Sequence, residues 1–116
     1  MSDLQCAATL YVLGPEADAP ERLPDEARVA AVWFAPSRRA QGEALARRWG
    51  CLAQDEPGLD APTWPPQPED PYDAVADLHR GESVLVLPAH PYPGRGPQDR
   101  VQVRIDGDGR AVRVLA

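Results

Sequence analysis

The feature that most constrains the fold is the stretch over residues 30–50, AAVWFAPSRRAQGEALARRWG. With the two residues before it, its first part forms an apolar run, RVAAVWFA, which is typical of a parallel strand covered on both faces. Pro36 suits the first turn of a helix, because the N–H that proline lacks would be unpaired there. We therefore predict a strand over residues 28–35 and a helix over about 37–49, with Gly50 as its C-cap.

Further apolar runs predict the rest of a sheet. AATLYVL over residues 7–13 and SVLVL over residues 83–87 read as buried strands, with a short strand at 51–54 and a helix over 71–80 between them. Alternation of strands and helices implies right-handed parallel crossovers. We expect one domain over residues 1–116, an α/β three-layer sandwich with a mostly parallel sheet.

The C-terminal region predicts an antiparallel hairpin. Val101, Val103 and Ile105 alternate with polar residues, and DGDG over residues 106–109 closes the turn. The same tetrapeptide superficially suggests calcium, but the further ligands of an EF-hand loop are missing. We expect neither a metal nor a cofactor.

Charge and composition exclude some classes of partner. Twelve basic residues, all arginine, against eighteen acidic ones give a net charge of −6, which argues against a nucleic-acid or anionic-membrane surface. No apolar run approaches the roughly 20 residues of a membrane span, and the N-terminus lacks a signal-peptide pattern, so we expect a cytoplasmic protein. Cys6 and Cys51 are expected to be buried free thiols.

Two arginines lie where a helix dipole disfavours them. Arg38 and Arg39 fall in the first turn of the predicted helix, at a cost of about 0.3–1 kcal/mol each. Because the carboxyl ends of parallel strands share one rim, we expect them near His90, which follows the strand at 83–87. Free N–H groups and guanidinium forks favour an anion there. The alternative is pairing of these arginines with Glu43 or with a carboxylate of the acidic loops.

Two other candidate functional residues, His90 and Trp64, can also be explained without a function. His90 could act as an acid/base group or bind an anion, or be a loop histidine without a partner. Trp64 lies in a proline-rich loop over residues 56–71, which could bind a partner or pack its tryptophan over the core.

The order of these pieces resembles the histidine phosphatase (phosphoglycerate-mutase-like) superfamily. VAAVWFAPSRRAQGEALARRWG is similar to the family's V-x-S-P-x-x-R-A-x-x-T-A-x-x-L-A-x-x-x-G pattern, and GESVLVL to its G-E-x-V-L-V-V. The resemblance implies a pocket of two arginines and two histidines, one of which is the nucleophile. Arg39 then corresponds to the second pocket arginine.

Other family positions differ in this chain. Leu13-Gly14-Pro15 replaces the R-H-G that carries the nucleophile, and His90 is displaced by one residue from the second histidine. Glu16 and Asp60 correspond only to supporting acidic positions. Loss of the nucleophile removes the covalent route.

We therefore expect a catalytically degenerate domain, or pseudoenzyme, that binds an anionic small molecule or a protein partner. One alternative is a divergent enzyme in which His90 and Arg39 act with Asp60 or Glu16. The other is a non-enzymatic accessory protein, with a homodimer left open, that uses Trp64 or the terminal strand edge.

Overall fold

A six-stranded sheet carries the fold, and two α-helices pack against it. The computed structural model describes residues 6–20, 23, 28–60 and 70–115. The elements in chain order are β1 (Ala8–Leu13), β2 (Val29–Phe34), a 3-10 helix (Pro36–Arg38), α1 (Arg39–Trp49), β3 (Leu52–Asp55), a second 3-10 helix (Pro57–Asp60), α2 (Pro71–Leu78), β4 (Ser83–Leu87), β5 (Arg100–Asp106) and β6 (Gly109–Leu115). In the described part of the chain, neither helix is long and apolar enough to cross a bilayer.

The strand order is β3-β2-β4-β1-β5-β6. The first four strands in this order are parallel to one another, whereas β5 runs antiparallel to β1 and β6 antiparallel to β5. The prediction of an α/β fold with a mostly parallel sheet and a C-terminal hairpin is therefore confirmed. The carboxyl ends of β1, β2 and β4 lie side by side.

Alternation along the central strands divides the buried residues into two clusters. Leu10, Val12, Val84 and Val86 belong to one cluster, together with Tyr72, Val75 and Ala76 of α2. Tyr11, Leu13, Leu85 and Leu87 belong to the other, together with Leu45 and Ala46 of α1. Neighbouring residues of a strand face opposite sides of a sheet, which explains why these strands contain almost no polar residues.

Helix α1 begins and packs differently from the prediction. A 3-10 turn takes the place of its expected first turn, so the α-helix starts at Arg39, and Gly50 ends it in the left-handed conformation with φ 67° as expected. Ala40 and Ala44, although apolar, are both exposed. The helix approaches the sheet at Gly42 instead, where an added Cβ would lie 2.4 Å from Cδ1 of Phe34.

The other predicted elements lie within a few residues of their expected places. The hairpin turn is confirmed, with Asp106 paired to Gly109 and the Asp108 N–H donating to the Asp106 carboxylate at 2.8 Å. Both cysteines are half-buried rather than fully buried. Trp64 lies outside the described residues.

A cluster around Arg110 ties β6 to the start of α2. The Asp70 carboxylate caps the helix by accepting from the Tyr72 N–H at 2.8 Å. Arg110 Nη2 donates to Asp70 at 2.6 Å and to Asp73 at 2.8 Å, and Arg110 Nη1 donates to the hydroxyl of Tyr92 at 2.9 Å. The C-terminal strand is thereby joined to the layer formed by α2.

The two carboxylates of this cluster should differ in their contributions to stability. We expect Asp70→Ala to lower the free energy of unfolding by about 1–2 kcal/mol, because it removes both the helix cap and a half-buried ion pair. Asp73→Ala removes an ion pair of an exposed carboxylate and should cost less than about 1 kcal/mol. Urea denaturation of both variants measures the difference, and equal losses would contradict the capping role.

Candidate functional site

Arg38 lies at the point where the ends of β1, β2 and β4 meet. The Ala35 N–H donates to the carbonyl of Leu87 at 2.8 Å, and the following 3-10 turn directs Arg38 across the strand ends. Its Nη1 donates to the carbonyl of Leu13 at 2.7 Å and to that of Pro88 at 2.9 Å. The expectation that these three strand ends share one rim is confirmed.

The remaining contacts of Arg38 involve a neutral amide. Its Nε and Nη2 both donate to Oε1 of Gln41, at 2.9 and 2.7 Å. Among the ion pairs between described residues, none includes Arg38. Burial lowers the pKa of Arg38 to about 10, a shift that the nearby Tyr72 opposes. Its positive charge is thus held by neutral oxygens.

Arg110 is a second half-buried arginine with the opposite electrostatic surroundings. Burial alone would lower its pKa, but its hydrogen bonds to Asp73 and Tyr92 and the charge of Asp70 raise the pKa instead. At Arg110, the hydrogen bonds and the nearby negative charge therefore outweigh the lowering of the pKa by burial. The difference at Arg38 comes from the absence of a carboxylate among its described partners.

Arg39 has a separate set of partners. Its guanidinium is exposed, donates to the Asp55 carboxylate at 3.2 Å and lies 3.6 Å from that of Glu43. It also lies over the ring of Phe34, 5.3 Å from the centroid. These contacts correspond to the alternative that pairs the arginines with carboxylates, and they direct Arg39 toward the end of β3 rather than toward the ends of β1 and β4.

The supporting acidic residues lie at the rim but do not orient the histidine through any described hydrogen bond. The Ser37 hydroxyl donates to the Asp60 carboxylate at 2.5 Å. The carbonyl of Leu59 accepts from the Ala89 N–H at 2.9 Å, which brings the loop of Asp60 beside the segment that contains His90. The His90 side chain is exposed and has no hydrogen bond to a described residue.

Gly14 closes the end of β1 against the loop before β5. Its N–H donates to the carbonyl of Asp99 at 3.0 Å, and the next residue but one, the exposed Glu16, donates its N–H to the carbonyl of Pro97 at 2.8 Å. A Cβ on Gly14 would lie 2.4 Å from that Pro97 oxygen. The position therefore has no room for a side chain.

Sequence reasoning missed two groups of polar residues. Gln41 fixes Arg38 from the next turn of the helix, and its i, i+3 spacing could have indicated this. Trp33, His79 and Glu82 form the second group: Trp33 Nε1 donates to His79 Nε2 at 2.9 Å, and His79 Nδ1 lies 2.9 Å from the Glu82 carboxylate. Trp33 and His79 are 46 residues apart, so no local pattern indicates their contact.

The described residues contain no group of three or more histidine, cysteine or acidic side chains that could hold a metal ion. Comparisons with protein-family models, with curated proteins and with solved structures give no match. What the rim does must therefore be inferred from its own geometry.

The tight approach at Gly14 should make its substitution costly. We expect Gly14→Ala to lower the free energy of unfolding by about 1–3 kcal/mol, because backbone atoms must move to admit the methyl group. Gly96→Ala is the matched control, since its Cβ would meet only the Asp99 carboxylate at 3.6 Å, an ordinary contact. Thermal and urea unfolding of both variants test this. A Gly14→Ala variant as stable as the control would contradict the inference that the Pro97 carbonyl leaves no room for a side chain at position 14.

Cys51 should react more slowly with alkylating reagents than a free cysteine does. Burial raises the pKa of its thiol. The pKa of the Cys51 thiol is higher in the folded state than in the unfolded state. Its contribution to folding stability is therefore complete below the unfolded pKa, about 8.5, and is lost as pH rises through the folded pKa. We expect the pH midpoint of iodoacetamide alkylation in a Cys6→Ser variant to be higher in native protein than in denaturant; equal midpoints would exclude this.

Proposed function

We propose that this protein is a reduced, catalytically degenerate histidine-phosphatase-like domain that binds a small anion, phosphate or a phosphorylated small molecule, at the rim around Arg38. The observation that carries the proposal is the half-buried guanidinium of Arg38, whose charge is held by carbonyl and amide oxygens alone among the described residues. A buried charge without a counterion is costly, and a bound anion offsets that cost.

The packing of the helices supports the finer fold in this proposal. Helix α1 packs with one buried cluster and α2 with the other, and the two clusters use alternate residues of the same strands. A three-layer sandwich of this kind has its ligand crevice beyond the carboxyl ends of the strands. Arg38 contacts the carboxyl ends of β1 and β4.

The degenerate character is supported by the end of β1. In the family resemblance Gly14 corresponds to the nucleophilic histidine, and the carbonyl of Pro97 leaves no room for a side chain there. His90 is exposed and has no described carboxylate to orient it, while Asp60 accepts from Ser37. A covalent phosphoryl transfer needs an oriented nucleophile, so binding is the favoured function.

Arg38 is the central residue of the proposed site, and Arg39 has a secondary place in it. An anion that reached Arg39 would compete with the carboxylates of Asp55 and Glu43 for its guanidinium. Arg38 donates to neutral acceptors and needs no such exchange. The pair thus provides a binding residue and a matched control of the same type.

Inorganic phosphate is the probe that tests this proposal. At matched ionic strength, we expect phosphate to raise the melting temperature more than chloride does, with an increment that grows as RT ln(1 + [L]/Kd). Arg38→Gln should abolish the increment and Arg39→Gln should retain most of it. The increment should also fall as pH rises through about 10, where Arg38 loses its proton.

If Arg38→Gln does not fold, NMR of the wild-type protein keeps the test decisive. Phosphate should then shift the amide resonances of Gly14, Arg38 and Ala89 before those of β3. Shifts confined to the surroundings of Arg39, or none specific to phosphate, would refute the proposed site. Robust turnover of phosphohistidine or phosphomonoesters that Arg38→Gln or Arg39→Ala abolishes would refute the degenerate character.

A further inference from the structure

Strand β6 is an outer strand of the sheet that keeps a regular edge. Among the described strands it pairs only with β5, in unbroken register from Arg100 opposite Leu115 to Asp106 opposite Gly109. It contains no proline and no bulge, two devices by which proteins prevent strand addition. The outer backbone groups of such a strand can accept another strand.

One face of β6 continues the apolar surface of the core. Val112 lies opposite Val103 and Val114 opposite Val101, and both residues of β5 are buried. The valines of β6, however, are 36% and 42% exposed. An added strand would cover them.

The other face of the β5–β6 hairpin carries exposed arginines, with Asp106 at its turn end. Arg113 lies opposite Gln102 and donates to its side-chain oxygen at 2.5 Å, while Arg104 lies opposite Ala111. Both arginines are exposed, and none of the ion pairs between described residues includes either of them. This positive face belongs to a chain whose net charge is −6.

Charge decides which kind of strand fits this edge. A second copy paired antiparallel through β6 would bring two Arg113 side chains, and two Arg104 side chains near them, onto one face of the joined sheet. Like charges on neighbouring strands are destabilising, whereas opposite charges stabilise a cross-strand pair. A partner with carboxylates on this face is therefore favoured over self-association.

We propose that β6 binds an extended segment of a partner protein by strand addition, and that this segment alternates acidic and apolar residues. Successive side chains of an added strand point to opposite faces, so its carboxylates would lie beside Arg113, on the face that also carries Arg104 of β5, while its apolar residues cover Val112 and Val114. Backbone hydrogen bonds supply affinity in this mode, and the side chains supply specificity. This edge is separate from the rim around Arg38.

A capped heptapeptide of alternating valine and glutamate, valine at both ends, is the probe. A block heptapeptide of the same composition controls for sequence pattern, and one with arginine in place of glutamate controls for charge. We expect fluorescence anisotropy to show binding of the alternating acidic peptide alone. In wild-type protein, the amides of β6 should show the largest NMR shifts and gain protection from hydrogen exchange.

Charge-reversal variants locate the binding on the protein. Arg113→Glu should weaken binding of the acidic peptide about tenfold and create binding of the arginine peptide, since an attractive cross-strand pair becomes repulsive. Arg47→Glu makes the same change of net charge on α1, where the residue is exposed, and should change affinity by less than about twofold.

Several results would overturn this inference. Equal binding of the block peptide, or NMR shifts centred on β3 or on the rim, would place the binding elsewhere or make it nonspecific. Absence of binding by the acidic peptide would also refute it. A wild-type dimer in sedimentation, with β6 amides already protected without peptide, would assign the edge to a second copy.

Discussion

The guanidinium group of Arg38 joins the carboxyl ends of three central strands, and the loops at that edge of the sheet depend on these contacts. Strands β1, β2 and β4 end beside one another, and each end has carbonyl groups that the sheet ladder no longer satisfies. Arg38 donates to two of these carbonyls, at Leu13 and Pro88, from the turn that follows the third strand. The crossing of the strand ends by one side chain fixes the loops of the rim relative to each other.

The same arrangement places the positive charge of Arg38 at the carboxyl ends of the strands. Five N–H donors on a planar group match several oxygen acceptors, which is why arginine rather than lysine suits this place. Hydrogen bonds from neutral carbonyls satisfy the donors but do not neutralise the ion. At Arg110 the two carboxylates of Asp70 and Asp73 do both. Arg110 thus has carboxylate partners, whereas the described partners of Arg38 are all neutral oxygens.

The strands and the C-terminal end of helix α1 could be predicted from sequence because their causes are local. Apolar runs bounded by glycine and proline indicate buried strands, and Gly50 indicates where the helix stops. The buried face of α1 could not be predicted as well. Ala40 and Ala44 are as compatible with burial as Gly42, and only the position of the Phe34 ring selects the glycine.

The position of Arg38 at the strand ends could be predicted from the sequence, but its hydrogen-bond acceptors could not. Strand ends of a parallel sheet meet at one edge, so Arg38, Arg39 and His90 were expected near one another. The two backbone acceptors of Arg38 lie 25 and 50 residues away in the chain, and no periodic pattern encodes such distances. The same holds for Trp33 and His79. Long-range hydrogen bonds are set by tertiary packing, which explains why the rim was located while its contacts were not.

The close packing of Gly14 against residues 97–99 couples two distant parts of the chain. A side chain at position 14 requires residues 97–99 to follow another path, because their carbonyl oxygens occupy the space that the side chain would fill. A side chain as large as histidine at this position would therefore displace the loop before β5 as well. The side chain that position 14 can hold and the path of the loop before β5 are thus linked, although the two lie more than 80 residues apart in the chain.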